Sequence, residues 1–285
     1  MSETLTVLDV IKKSTDFLNG KGIENARFNA EWLIAAALDL DRMQLYMKFD
    51  RPLSDQELVD MRSNVVRRGK REPLQYIVGH TQFHDLQLKV DPRVLIPRPE
   101  TEQLVELIKD SYMDSAPPAR ILDLGTGSGA IALGLAQIFP ESVVVAVDAS
   151  KEALEVAKEN TSGNDLTTRV TLVLSSWYEQ IDESERFDLI VSNPPYLTAE
   201  EMDTAEPEVK GHEPLNALVS AEAGMRDLFE IISGAKMRLN LGGSLWLETG
   251  IAQRQALLGS CSSAGFSNCE GIDDWSGRER FIRAQ

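Results

Sequence analysis

The stretch Ile121-Leu-Asp-Leu-Gly-Thr-Gly-Ser-Gly-Ala130 decides the fold. It begins as an apolar run of strand length, passes into a glycine-rich loop, and opens the apolar helical stretch that continues through Ile131–Ala136. Glycine in such a loop lets the backbone turn tightly and approach a ligand with no Cβ between them. Working outward, continuous apolar runs recur at VVVAVD (143–148), VTLVLS (170–175), FDLIVS (187–192) and SLWLET (244–249). Helical stretches lie at 129–139, 150–160, 224–239 and 251–264. Unbroken apolar runs suit parallel strands covered by helices on both faces. The alternation predicts a doubly wound α/β domain that binds its ligands at the carboxyl ends of the strands.

Upstream the period changes. Val7, Val10, Ile11, Ser14, Phe17 and Leu18 share one helical face, and Ala26–Leu40 repeats the pattern with Trp32, Leu33, Ala36, Ala37 and Leu40. Ser54-Asp55-Gln56-Glu57 is a capping box from which a helix is expected to run to about Arg68. Phe83, Leu86, Leu88 and Val90, set around a Gly79-His80 turn, predict a hairpin over 75–91. Pro97-Arg98-Pro99-Glu100-Thr101-Glu102 reads as a stiff helix start, with Pro99 near the first turn and acids favoured by the helix dipole. The expected organisation is a helical, substrate-binding region over 1–72, a β-hairpin linker over 73–96 and the α/β domain over 97–285.

The 285 residues suffice for a large domain and a small one. Asp and Glu number 45 against 29 Lys and Arg, a formal charge of −16. That balance opposes broad binding to a phosphate backbone, which needs clustered positive charge; it suits a basic protein partner, and equally a solvated acidic surface, the plainer reading of the charge alone. Cys261 and Cys269 are the whole cysteine complement, so a reducing compartment and no disulfide framework are expected. His80 and His84 have the spacing of a helical metal pair but flank a strand-like stretch, and no metal site is expected. The N-terminus lacks the pattern of an export signal, and no apolar run of about 18 or more residues offers a membrane span, so a cytoplasmic protein is expected.

The chemistry begins at Asp123, Gly125, Thr126, Gly127, Ser128 and Gly129. Gly125-x-Gly127-x-x-Ala130 also satisfies the dinucleotide pattern, so a nicotinamide or flavin stays open on this motif alone. Asp148, about 20 residues further on, can accept from both hydroxyls of a ribose in either class. Asp123 separates the classes: a carboxylate beside the loop repels a pyrophosphate and attracts an ammonium or sulfonium, which favours S-adenosylmethionine. The competing role for Asp123 is a helix cap.

The run FDLIVS leads into Asn193-Pro194-Pro195-Tyr196. In a doubly wound sheet this strand would end beside residues 121–124, across the ligand crevice. The prolines fix two successive φ angles and donate no N–H, so they aim the Asn193 side chain. Asn193 Oδ1 and the Pro194 carbonyl can hold both hydrogens of an –NH₂ group, while Tyr196 offers a ring to a planar group. Such a clamp stabilises positive charge growing on an amide or ring amino nitrogen more in the transition state than in the ground state. The competing role is a stiff strand terminator.

With these residues in place the chain resembles the bacterial protein-(glutamine-N5) methyltransferases that modify peptide chain release factors, over essentially its whole length. The segments that carry the resemblance are EPLQYIVGHTQFHDLQLKVDPRVLIPRPETEQLVE (72–106), ILDLGTGSGAIALGLA (121–136), AVDASKEALEVAKEN (146–160), DLIVSNPPY (188–196), HEPLNAL (212–218) and LETGIAQ (247–253). The resemblance implies a mostly parallel seven-stranded class I methyltransferase sheet. It implies S-adenosylmethionine at Gly125–Gly129 and Asp148, with Trp177 near the adenine and Asn193 facing the reactive end. It also implies a release-factor glutamine, in a Gly-Gly-Gln loop, received at Asn193–Tyr196, with Arg98, Glu100 and Thr101 lining its approach. Ser176-Trp177 stands where the family usually has Asp-Trp, and His212 where it usually has an aromatic residue. The clamp chemistry leaves two alternatives: N-methylation of exocyclic amino groups of DNA or RNA bases, and a non-catalytic cofactor-binding scaffold. The −16 charge stands against the first, and no direct nucleic-acid partner is expected.

Overall fold

The computed structural model describes residues 5–285 and divides into two compact units. One comprises residues up to His80 together with Glu206–His212; the other comprises Thr81–Ala205 with Glu213–Gln285.

The first unit is built from helices Val7–Gly20, Ala26–Ala37, Arg42–Tyr46, Asp55–Gly69 and Leu74–Val78. The capping box forms as the sequence specifies: the Ser54 side chain accepts from Glu57 N–H while the Glu57 side chain accepts from Ser54 N–H. Val7, Val10 and Ile11 pack with Ile34, Ala35, Leu45, Leu53 and Met61, and Leu18 packs with Ala30, Leu33, Val65 and Ile77. The second helix departs from its expected face and length. It stops at Ala37, Ala36 faces solvent, and Ile34 and Ala35 are buried in its place. A helix apolar around so much of its circumference offers several candidate faces, and only its neighbours choose among them. Glu31 is buried on it because Arg27, Arg42 and Tyr46 all donate to its carboxylate. The short helix Pro207–His212 belongs to this unit through Glu208, which pairs with Arg68 at 2.9 Å and Arg71 at 3.4 Å.

A two-stranded hairpin follows, β1 (His80–Phe83) and β2 (Leu86–Lys89). It is shorter than expected and reverses elsewhere. Gly79, at φ +89°, closes the helical turn Leu74–Val78, and the chain reverses at His84-Asp85 with His84 at φ +49°. A glycine before a strand serves a helix C-cap as readily as a hairpin turn, and local sequence does not separate the two.

Among the described residues of the second unit, seven strands form one sheet: β3 (Arg120–Leu124), β4 (Val143–Asp148), β5 (Val170–Leu174), β6 (Phe187–Ser192), β7 (Leu239–Glu248), β8 (Cys269–Asp273) and β9 (Glu279–Ala284). Their order is β5-β4-β3-β6-β7-β9-β8, parallel except for β9, which is antiparallel to both neighbours. The apolar runs serve both faces. In β6, Leu189 and Val191 join a core that includes Leu104, Val105 and Leu133, while Ile190 joins one that includes Leu228, Ile231 and Leu257. The strands β8 and β9 do not announce themselves in this way: β8 is half-exposed and contains Gly271, and β9 opens on Glu279-Arg280.

Register is what places the site. Leu124 pairs with both Val147 and Ser192, and Ser192 pairs with Leu247. The residues that follow these partners, Asp148, Gly125, Asn193 and Glu248, are therefore aligned at the carboxyl edge of the sheet. The order reverses between β3 and β6, the position where open α/β sheets take their ligands.

Candidate active site

A cavity of about 250 Å³ opens at this edge. Its walls include Gly125, Gly127, Asp148, Ser176, Trp177 and Asn193. Gly125 and Gly127 hold φ +74° and +55°, the left-handed region that costs glycine little. A Cβ on Gly125 would stand 3.3 Å from Trp177 Cζ3, so the missing side chain lets the indole close against the loop. Trp177 itself holds φ +43°, and its Nε1–H donates to Asp227 Oδ1 at 3.2 Å.

The loop engages its own donors. Gly125 and Thr126 N–H both donate to the Val147 carbonyl at 2.8 Å, and Gly129 N–H donates to the Thr126 carbonyl at 2.8 Å. Gly127 N–H donates to Asp148 Oδ2 at 2.8 Å, and Ser150 N–H donates to Asp148 Oδ1 at 2.8 Å. A pyrophosphate would need those N–H groups free. The arrangement fits a ligand that presents hydroxyls to Asp148 and carries no pyrophosphate. Each Asp148 oxygen keeps acceptor capacity beyond its backbone partner. Burial raises the Asp148 carboxyl, and the N–H groups of Ser150 and Gly127 oppose it.

Asp123 departs from expectation. It is fully buried and outside the cavity wall; Oδ2 accepts from Thr126 Oγ1 at 2.6 Å and Ala132 N at 3.2 Å, while Oδ1 has no partner. Burial pushes its carboxyl up to about 7. The β3 register explains the placement, because Asp123 sits one residue before the strand end and points into the core shared with Ile121. Its bond to Ala132 N–H, at the start of the following helix, is the contact that the competing helix-cap role calls for. Thr126 and Ser128 are likewise buried, Ser128 giving its carbonyl to Asn160 Nδ2 at 2.8 Å. Asn160 also bonds both backbone groups of Lys89, so it ties β2 to the loop.

A second, narrower cavity of about 40 Å³ is lined by Leu95, Arg98, Asn193, Pro194, Tyr196, Leu197, Ala217 and Leu218. Leu95, Asn193 and Ala217 belong to the walls of both cavities. Asn193 Nδ2 donates to Thr101 Oγ1 at 3.0 Å, which leaves Oδ1 as the acceptor end of its amide at a residue that lines both spaces. Tyr196 Oη donates to Glu248 Oε1 at 3.1 Å; burial and the Glu248 charge raise its phenol.

The residues expected along the substrate approach separate. Arg98 lines the narrow cavity, and its Nη2 donates to both oxygens of buried Glu213 at 2.7 and 2.8 Å. Glu100 stands outside both cavity walls and pairs with Arg278 at 3.2 Å. Thr101 is buried beneath Asn193 rather than exposed to a substrate. The sequence reading missed Asp227, Gln253 and Glu248. Gln253 Nε2 donates to the Tyr196 carbonyl at 3.1 Å and the Gly224 carbonyl at 3.3 Å. Both Glu248 and Gln253 lie in LETGIAQ, but nothing local assigns them a role. Among the described residues, no group of three or more His, Cys, Asp or Glu side chains could hold a metal ion, and no helix is long and apolar enough to cross a membrane.

Comparison with known proteins gives concordant relatives. Residues 9–79 match the PrmC N-terminal domain, and residues 101–208 match the methyltransferase small domain. The release factor glutamine methyltransferase of Geobacter sulfurreducens is 42% identical over 280 residues, covering 98% of this chain and 96% of that protein. The release factor glutamine methyltransferase of Rhodopirellula baltica is 37% identical over 286 residues, with 98% and 96% covered. Among solved structures, the hMettl16 catalytic domain in complex with a MAT2A 3'UTR hairpin superposes with TM-score 0.57 at 15% identity, covering 83% of this chain and 84% of that one. The T. thermophilus 16S rRNA N2 methyltransferase RsmC, in complex with AdoMet and guanosine, gives 0.54 at 20% identity, covering 72% and 49%. At these identities the structural likeness is one of fold.

Proposed function

We infer the chemistry of this site from one premise: the chain belongs to the release factor glutamine methyltransferase family. The reaction is transfer of a methyl group from S-adenosylmethionine to the side-chain amide nitrogen, N5, of a release-factor glutamine. We propose that this glutamine is the one in the Gly-Gly-Gln loop.

Bound in the larger cavity, S-adenosylmethionine supplies a methyl group made electrophilic by a sulfonium. Gly125 and Gly127 allow close approach there, Asp148 accepts from ribose hydroxyls, and the Trp177 ring closes one side. The narrow cavity receives the glutamine amide. Arg98, Pro194 and Tyr196 line it beside Asn193. Asn193 Oδ1 and the Pro194 carbonyl accept the two amide hydrogens. An amide nitrogen is a poor nucleophile because its lone pair is delocalised, and these acceptors gain strength as positive charge grows on it. Once methylated, the nitrogen holds an acidic proton that leaves to water, so the site requires no strong base. Positioning supplies the remainder.

The observation that carries this reading is the position of Asn193 in the walls of both cavities. Incubation with labelled S-adenosylmethionine and release factor, DNA or RNA tests it. Label is expected in the release factor alone, as a gain of about 14 Da on one glutamine by mass spectrometry. Label confined to nucleic acid would overturn the assignment.

A further inference from the structure

The carboxamide of asparagine has two nearly isosteric orientations, and only one turns its oxygen toward a substrate N–H. In this site the Asn193 amide is hydrogen-bonded to a chain of residues, Thr101 and Glu248, that line neither cavity. Asn193 Nδ2 donates to Thr101 Oγ1 at 3.0 Å, and Thr101 Oγ1 donates to Glu248 Oε2 at 2.7 Å. The other oxygen, Glu248 Oε1, accepts from Tyr196 Oη at 3.1 Å. Thr101 is 4% exposed and Glu248 1%.

We propose that Thr101 and Glu248 are positioning residues for the methyl transfer, fixing through one hydrogen-bonded chain which end of the Asn193 amide faces the reacting nitrogen. The inference rests on the reading of Asn193 as the amide clamp.

While Glu248 is ionised the polarity of the chain has one solution: a carboxylate only accepts, so the single hydroxyl proton of Thr101 goes to Glu248. What Thr101 then offers Asn193 is a lone pair, which takes an N–H and not an oxygen. A rotated amide would set Oδ1 against the Thr101 oxygen with no proton between them and would leave Nδ2 without its partner. The same carboxylate holds Tyr196, so both ends of Asn193-Pro194-Pro195-Tyr196 are tied to one group. The prolines set the backbone between them.

Stability does not account for Glu248. Burying a carboxylate costs more than filling the same space with an apolar side chain. Burial raises its carboxyl, and the Thr101 and Tyr196 hydroxyls and the Arg280 charge oppose that rise. Nor does sequence proximity account for it, since Thr101 and Glu248 are 147 residues apart. Packing brings them together: Leu247 pairs with Ser192, which sets Glu248 beside Asn193, and the helix Pro99–Ser111 that carries Thr101 packs against β7.

The test is a double-mutant cycle on the full-length enzyme, with S-adenosylmethionine and release factor as substrates. Thr101→Val keeps the shape and removes the hydroxyl; it is expected to lower kcat about 10-fold to 100-fold. The release-factor KM and the cofactor Kd should stay within about 3-fold of wild type, and Thr101→Ser should restore kcat to within about 3-fold. Because Thr101 acts through Asn193, adding Thr101→Val to Asn193→Ala should cost less than about 3-fold more. An additive loss in the double variant, a Thr101→Ser as impaired as Thr101→Val, or an undiminished kcat in Thr101→Val would each overturn the proposal. If Thr101→Val does not fold, Glu248→Asp, which withdraws the carboxylate by one methylene, enters the same cycle under the same criteria. Wild-type turnover in Asn193→Ala would remove the clamp itself. An impaired Asn193→Ala beside an undiminished Thr101→Val would remove only the positioning role.

Discussion

Ser192 Oγ donates to the carbonyl of Leu124 at 2.6 Å, at the last paired position of two parallel strands. One of these strands delivers Gly125 and the other Asn193, so a single buried hydroxyl pins the two halves of the site together. Ser192→Ala is expected to lower the unfolding free energy by about 1 kcal/mol, the net worth of such a bond. Urea denaturation measures it, and an unchanged midpoint and slope would show that the bond contributes nothing.

Asp148 uses both oxygens on backbone N–H groups, those of Gly127 and Ser150. Asparagine has one accepting oxygen and would turn an N–H toward one of those donors. Asp148→Asn is therefore expected to weaken cofactor binding about 10-fold to 100-fold, the range for losing a charge-assisted bond. Titration calorimetry with S-adenosylmethionine gives the value; a Kd equal to wild type would take Asp148 out of the binding site.

Gly224 backs directly onto the carbonyl of Tyr196. A Cβ at Gly224 would lie 2.1 Å from that oxygen, and φ is +78°. Alanine there must push the end of the Asn193–Tyr196 turn aside. Gly224→Ala is expected to lower kcat about 100-fold, the scale of displacing a reacting group by about 1 Å, and to cost about 1–2 kcal/mol of stability. Steady-state kinetics beside thermal unfolding checks both, and normal turnover would mean that the turn tolerates the shift.

Asp123 carries a pH signature. Its carboxyl rises from 3.8 to about 7 in the folded protein through burial. Between those values the folded state keeps a proton that the unfolded chain has released, so this residue's contribution to stability falls as pH rises through the window. In Asp123→Asn that contribution is gone. The melting temperature of the variant relative to wild type is expected to climb from about pH 4 to about pH 7 and then level off. A constant difference across that range would place the Asp123 carboxyl at an ordinary value.

Much of this was legible locally. The capping box at Ser54-Asp55-Gln56-Glu57 is complete within one turn of helix, and the helix forms over Asp55–Gly69. The run into Asn193-Pro194-Pro195-Tyr196 specifies its own stiffness, because proline fixes φ wherever it stands. Where one local signal has two physical uses, local sequence does not choose between them. Gly79 closes a helix rather than turning the hairpin, and Asp123, open to a cofactor or a capping role, accepts from Ala132 N–H at the start of the following helix. The half-exposed β8, interrupted by Gly271, lacks the apolar run that betrays a covered strand.

The sequence by itself determined the alternation of apolar strands and helices, the glycine turn and the proline-stiffened asparagine, since each depends on bonds and sterics within a few residues. Only the tertiary structure decided that Asp148, Gly125, Asn193 and Glu248 stand in one row, that Asn193 is shared by two cavities, and that Thr101 hands the orientation of its amide to a distant carboxylate. The physical reason is register and packing: hydrogen bonding between parallel strands aligns residues from remote parts of the chain, and strands buried on both faces read as continuous apolar runs whose pattern does not say which residues meet.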